Sequence, residues 1–142
     1  MALTADDKKV IKCFWPLLSG CSEELGAEAM GRMFITEKRT KTYFPSFDLT
    51  PKSTHLKAHG KKVIDALTEA VNHLDNIQGA LNKLSDLHAY DLRVDPGNFP
   101  LLAQNILVVT AIHFHDKFDI CTHIALDKFL DRVACVLTSK YR

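Results

Sequence analysis

From Ser53 to Leu74 the positions Leu56, His59, Val63, Ala66, Ala70 and Leu74 step forward by three or four residues. That spacing stacks side chains on one face of an α-helix. Strands require apolar residues to alternate with a period of two, and no stretch of this chain does so. The expectation is an all-α fold, in which a long amphipathic helix buries its stripe against other helices. One position on the stripe is His59. An imidazole on an apolar face needs a hydrogen-bond partner or a metal, because burying it unpaired costs roughly 1–3 kcal/mol.

Further helices are written on both sides. Thr4-x-x-Asp7 ahead of Val10, Ile11 and Phe14 is a capping box. Pro16 is expected to kink or end that helix before Ser19-Gly20, since proline lacks an amide and crowds the preceding turn. Ser22, Glu23 and Glu24 open a second helix with Ala27, Met30 and Phe34 on one face, interrupted by Gly26 and Gly31. A glycine inside a helix costs about 1 kcal/mol relative to alanine. It is either a close approach for another backbone or a tolerated weakness. From Thr36 to Pro51, which includes the aromatic-rich TKTYFPSFDLTP, the chain reads as a short helical turn and a connecting loop.

Beyond a break near Asn76 to Gly79, Leu81 to Tyr90 forms another amphipathic piece, with Leu84, Leu87 and His88 sharing a face. Asp95-Pro96 is the N-cap and first residue of a helix striped by Leu102, Ile106, Val109 and Ile112. The last helix carries Ile124, Phe129, Leu130, Val133 and Leu137. With 142 residues, 46% of them hydrophobic, residues 1–142 are expected to form a single domain.

Lys and Arg total 18 against 17 Asp and Glu, so the chain has no strong field to gather nucleic acid or an anionic membrane. Cys13, Cys21, Cys121 and Cys135 stand singly, without CxxC pairs, and read as reduced thiols. Neither a signal peptide nor an apolar run of membrane-spanning length is seen, so a soluble, intracellular protein is expected.

Most of the seven histidines read as ordinary. His55 and His73 are expected to be solvated. His113 and His115 diverge on a helix, and so do Cys121 and His123, because neighbours two apart do not share a face. His59 and His88 differ: both lie on apolar stripes, on separate helices that can face one another. Two readings stand. They are core histidines bonded to backbone carbonyls, or they flank a flat metal cofactor amid Phe44, Val63, Leu84, Leu87, Leu92, Phe99 and Leu102. Haem iron needs a nitrogen ligand on one side and, for reversible dioxygen binding, a small pocket with a donor on the other. Spacing alone does not say which histidine would bind iron.

The stretches FPSFDLTP, AHGKKVIDAL, LSDLHAYDLRVDPGNFPLL, LDKFL and the terminal VLTSKYR, in this order, resemble the α-type haemoglobin subunits of vertebrates, over nearly the whole chain. The resemblance implies a globin fold of about seven to eight helices around a pocket for haem b, iron protoporphyrin IX, with only a remnant of the fourth helix at Phe47 to Lys52. It implies oxygen transport rather than enzymatic turnover. His88 would be the proximal iron ligand and His59 the distal donor to dioxygen, with Val63 limiting space. Phe44 would wedge the ring and Lys62 meet a propionate. Met33, Tyr43, Leu84, Leu87, Leu92, Val94, Asn98, Phe99, Leu102 and Leu137 would supply the remaining wall.

By the same resemblance the working unit is an α2β2 tetramer with β-type chains in the cytoplasm of the red blood cell, binding dioxygen and other diatomic gases. Arg32, Gln104, Phe118 and His123 would form a tight contact, and Thr42, Tyr43, Pro45, Asp95 and Asn98 a sliding one. Arg142 would pair with Asp127, Lys128 would hold the terminal carboxylate of the other α-type chain, and Tyr141 would complete this anchor. Lys38, Arg39 and Ser46 depart from the residues common at those positions. The rival expectations are haem enzymology, for which extra polar groups beside His59 would be needed, and a docking bundle whose histidines are merely core.

Overall fold

The computed structural model describes residues 2–92 and 94–140. Among the described residues there is no strand, and seven α-helices form: α1 Ala5–Ser19, α2 Ser22–Thr36, α3 Thr54–Val71, α4 Ile77–Ala80, α5 Asn82–Asp86, α6 Phe99–His113 and α7 Ile120–Thr138. Two 3-10 segments, Lys38–Tyr43 and Pro96–Asn98, and a π-helical turn, Leu87–Leu92, complete the regular structure. Residues 44–53 are turns and bends without a helix, where the resemblance allowed only a remnant.

The helix starts follow their capping residues. Asp7 N–H donates to Thr4 Oγ1 (3.0 Å) and Thr4 N–H to the Asp7 carboxylate (2.9 Å), closing the capping box of α1. Ser53 and Asp119 accept from Leu56 N–H and Thr122 N–H at the starts of α3 and α7. Asp95 accepts from Gly97 N–H, so it caps the 3-10 turn that leads into α6 rather than α6 itself. In α2 the cap is Cys21, with no side-chain hydrogen bond, and Ser22 is already helical.

Pro16 does not end α1, which runs on to Ser19 with Gly20 N–H donating to the Pro16 carbonyl. Proline forfeits only its own amide bond, and tertiary packing holds the last turn. Trp15 and Leu18 on either side are almost wholly buried, and Trp15 Nε1 donates to Thr68 Oγ1 of α3 (2.8 Å).

The two glycines of α2 divide between the two readings. A Cβ on Gly26 would lie 2.2 Å from the carbonyl oxygen of Gly60, so α2 and α3 cross backbone to backbone at this pair. A Cβ on Gly31 would meet nothing within 4 Å, and that glycine is simply tolerated. The main core joins α1, α3, α6 and α7 around Ile11, Trp15, Ile64, Ile106 and Phe129. A second cluster of Met30, Met33, Phe34 and Leu56 sits where α2 meets the start of α3.

Several predicted features shift. The break near Asn76 to Gly79 contains α4, capped by the Asn76 side chain accepting from Gly79 N–H. The helix expected over Leu81 to Tyr90 begins as α5 and widens into the π turn. Ile112 and Ile124 leave their predicted buried stripes and are about half exposed. The α6 segment FPLLAQNILVVTAIH is apolar on nearly every side, so periodicity cannot choose its inner face.

Candidate functional site

Between α3 on one side and α5 with the π turn on the other lies a cavity of about 180 Å³. Its wall includes His59 and Val63 from α3 and Leu84 and His88 from the opposite side. Tyr43 and Phe44 come from the 3-10 segment and its end. Val94, Asn98, Phe99 and Leu102 follow the π turn, and Met33 and Leu137 close the rest. The structure thus brings together twelve of the residues assigned to this site from the sequence.

His88 is oriented by its own helix. Leu84 precedes it by four residues, one helical turn, and the Leu84 carbonyl lies 2.8 Å from His88 Nδ1. A carbonyl only accepts, so Nδ1 carries the proton and the ring's lone pair is on Nε2. The Phe99 ring flanks the imidazole at 5.4 Å. This arrangement falls where α-helical spacing gives way to π, a register slip often found at functional sites.

His59 meets Phe44 and Phe47 edge-on, at 5.1 and 5.7 Å between ring centres. Burial, then the charge of Lys62 and that of His88, push its imidazole below the usual 6.5. The ring is therefore neutral near neutral pH, a hydrogen-bonding or ligating group rather than a cation. At the rim Tyr43 Oη accepts from Asp95 N–H and from Asn98 Nδ2, both at 3.1 Å, tying the 3-10 segment to the turn before α6.

Two residues assigned to the wall are not on it. Leu87 is 39% exposed and Leu92 51%, because both sit in the π turn, where spacing drawn for a 3.6-residue turn no longer predicts the face. Lys62, assigned to a propionate, is exposed, and its charge acts on His59. Conversely Leu81, Ile106, Leu130 and Val133 line the back of the cavity. Their stripes read only as core, since wall and core use the same apolar side chains. Thr40, also on the wall and 1% exposed, gave no signal within its polar run.

The residues assigned to partner contacts fall into separate patches. Arg32 and Gln104 share a surface groove between α2 and α6 with Ile35 and Val108. The Phe118 and His123 rings meet tilted, 5.1 Å apart. Thr42, Pro45, Asp95 and Asp127 are exposed. Lys128 makes an ion pair within the chain, 3.0 Å from the Asp7 carboxylate. A carboxylate already fixed by the capping box is its nearest counter-charge. Tyr141 and Arg142 lie outside the described residues.

The remaining histidines have local partners. His55 Nδ1 accepts from Asp48 N–H (2.7 Å) and orders the loop before α3, rather than being merely solvated. His113 meets Glu28 at 3.0 Å, and His73 Nδ1 donates to the Glu69 carbonyl. No disulfide joins the cysteines: Cys13, Cys121 and Cys135 are exposed thiols and Cys21 is partly buried. Among the described residues no three metal-ligating side chains converge, and no helix is long and apolar enough to cross a membrane.

An all-helical sandwich around an apolar cavity with opposed imidazoles is a globin arrangement, and the globin family model matches residues 27–137. The chain belongs to the globin family. Hemoglobin subunit alpha of Xenopus tropicalis is 66% identical over 142 residues, the full length of both chains. Hemoglobin subunit alpha-1 of Xenopus laevis is 64% identical and hemoglobin subunit alpha-C of Aquarana catesbeiana 59%, each again over full length. Within the family the chain therefore groups with α-type haemoglobin subunits.

Proposed function

We propose that the chain transports oxygen, holding haem b in the cavity between His88 and His59 and working with β-type chains as an α2β2 tetramer of the red blood cell. The observation that carries this reading is the pair of imidazoles in one apolar cavity, with His88 Nδ1 committed to the Leu84 carbonyl. The lining fits a flat, mostly apolar macrocycle: Leu84, Phe99, Leu102 and Leu137 offer apolar contact, with few polar groups among them. Ferrous haem b, when bound, supplies an iron centre that takes one protein nitrogen and leaves one position for dioxygen or another diatomic gas.

His88 presents the Nε2 lone pair as that nitrogen, and its bond to Leu84 fixes the ring's direction and raises its basicity. On the other face neutral His59 acts as a hydrogen-bond donor to a polarised gas rather than as a second tight ligand. Val63, one turn farther along α3, limits space beside it, and Phe44 wedges the edge. Lys62 stands as a cation for one propionate. Ser46, exposed, offers only a hydroxyl where the resemblance leads one to expect a cation.

A carrier, rather than an enzyme, is favoured by the wall around His59: its neighbours are Phe44, Phe47 and Val63, not the acids and amides of peroxidase chemistry. The partner reading is supported by apolar surface. Ile35, Val108, Ile112, Ile120 and Ile124 are all well exposed, and two of them share the Arg32 and Gln104 groove. The rim cluster of Tyr43, Asp95 and Asn98, with Thr42 and Pro45 beside it, provides a second, polar contact.

Absorbance spectroscopy on the haem-loaded protein tests the reading. The native chain is expected to show a sharp near-ultraviolet band that shifts reversibly when oxygen is removed. His88→Gly is expected to lose that reversibility and regain it with added imidazole. His59→Leu should keep haem but release dioxygen at least about tenfold faster, the loss of one charge-assisted hydrogen bond. A folded chain that takes up no haem, or a His88→Gly variant that binds oxygen normally, overturns it.

A further inference from the structure

The helix that leads to His88 is too short to hold its own direction. The α5 segment spans only Asn82–Asp86, and isolated helices shorter than about 12 residues are marginal in water. Its direction must come from α7, and two ties supply it. Ser85, 1% exposed, donates its hydroxyl to the Val136 carbonyl at 3.0 Å. Lys140, just beyond the end of α7, reaches back along α5. Its Nζ lies 2.7 Å from Asn82 Oδ1, 2.5 Å from Asp86 Oδ1 and 3.5 Å from the Asn82 carbonyl.

Asn82 and Asp86 are the first and last residues of α5, four apart and so on one face. A single ammonium, with three N–H donors, therefore spans the whole helix. The Lys140 side chain is only 25% exposed, while the Asp86 carboxylate is about half exposed. A charge pair of that exposure adds little to global stability. Its effect is local, falling on the segment whose Leu84 carbonyl orients the His88 ring.

We propose that Lys140 is a positioning residue for His88. By clamping both ends of α5 to α7 it sets where the Leu84 carbonyl points, and through that bond the plane and reach of the imidazole. The inference rests on the reading of His88 as the iron's protein nitrogen. It assigns control of that ligand to a side chain just past the end of α7, outside the cavity.

The test uses the haem-loaded protein with Lys140→Met, Lys140→Arg and Asp86→Asn. Hydrogen exchange of the amides over 82–92 is expected to run about threefold faster in Lys140→Met and Asp86→Asn. Lys140→Arg, which keeps the cation, should stay near the native rate, and the melting temperature should move little in any variant. In the deoxygenated ferrous state the iron–imidazole stretching band should shift or broaden in the first two variants and hold its position in Lys140→Arg. The double variant should be no more affected than the worse single one, because both changes remove one clamp. A native band left unmoved by Lys140→Met, with unchanged exchange, overturns the positioning role alone. Absence of an iron–imidazole band in the native chain overturns the His88 reading and the clamp's role with it.

Discussion

Gly26 and Gly31 look alike in the sequence, two helix breakers in one apolar stripe, and only their neighbours separate them. Gly26→Ala is expected to destabilise the chain by at least about 2 kcal/mol, since its Cβ would overlap the Gly60 backbone, which cannot yield as a flexible side chain would. Gly31→Ala should stabilise it by about 0.5–1 kcal/mol, because the methyl enters open space and the helix gains. Denaturant midpoints of the two variants check both signs. The histidines divide in the same way. His59 and His88 were legible because each interrupts an apolar stripe. The tie of His55 to Asp48 was not, because it joins a loop amide to a side chain across a turn that no periodicity describes.

Helix starts were legible because a cap is a short-range pattern, and Thr4 with Asp7 is the clearest case. That carboxylate also reaches α7 through Lys128, so one side chain serves a cap and a tertiary tie. The Thr4 amide first, and Lys128 with it, hold Asp7 below its usual 3.8. A lowered carboxyl contributes stability that is present above 3.8 and lost as pH falls through its folded value. Asp7→Asn is therefore expected to be less stable than the native chain at neutral pH, with the gap closing as pH drops below 3.8. Unfolding curves between neutral and acid pH measure it, and a gap that stays constant would refute the linkage. Less legible was the piece from Leu81 onward. Its turn from α to π exposes Leu87 and Leu92, and a spacing rule built on one helical period cannot foresee a change of period.

Across the whole molecule, the all-α class and the facing of α3 and α5 followed from stripes, but the partner surface did not. The α6 segment is apolar nearly all round, and that pattern hides which residues stay outside. On α6 those residues are Val108 and Ile112, and Ile35 of α2, 68% exposed, stands beside Val108 in the surface groove. Ile35→Lys is expected to leave the fold's stability within about 0.5 kcal/mol while weakening association with a β-type chain at least about tenfold. Sedimentation of the mixed chains would show it, and undiminished assembly would move the contact elsewhere. The account as a whole stands on one bond. A crystal structure of the deoxygenated, haem-loaded chain should show iron bonded to His88 Nε2, with His88 Nδ1 still on the Leu84 carbonyl and His59 across the ring without a bond to the metal. Iron held by His59, by both imidazoles or by neither would contradict it.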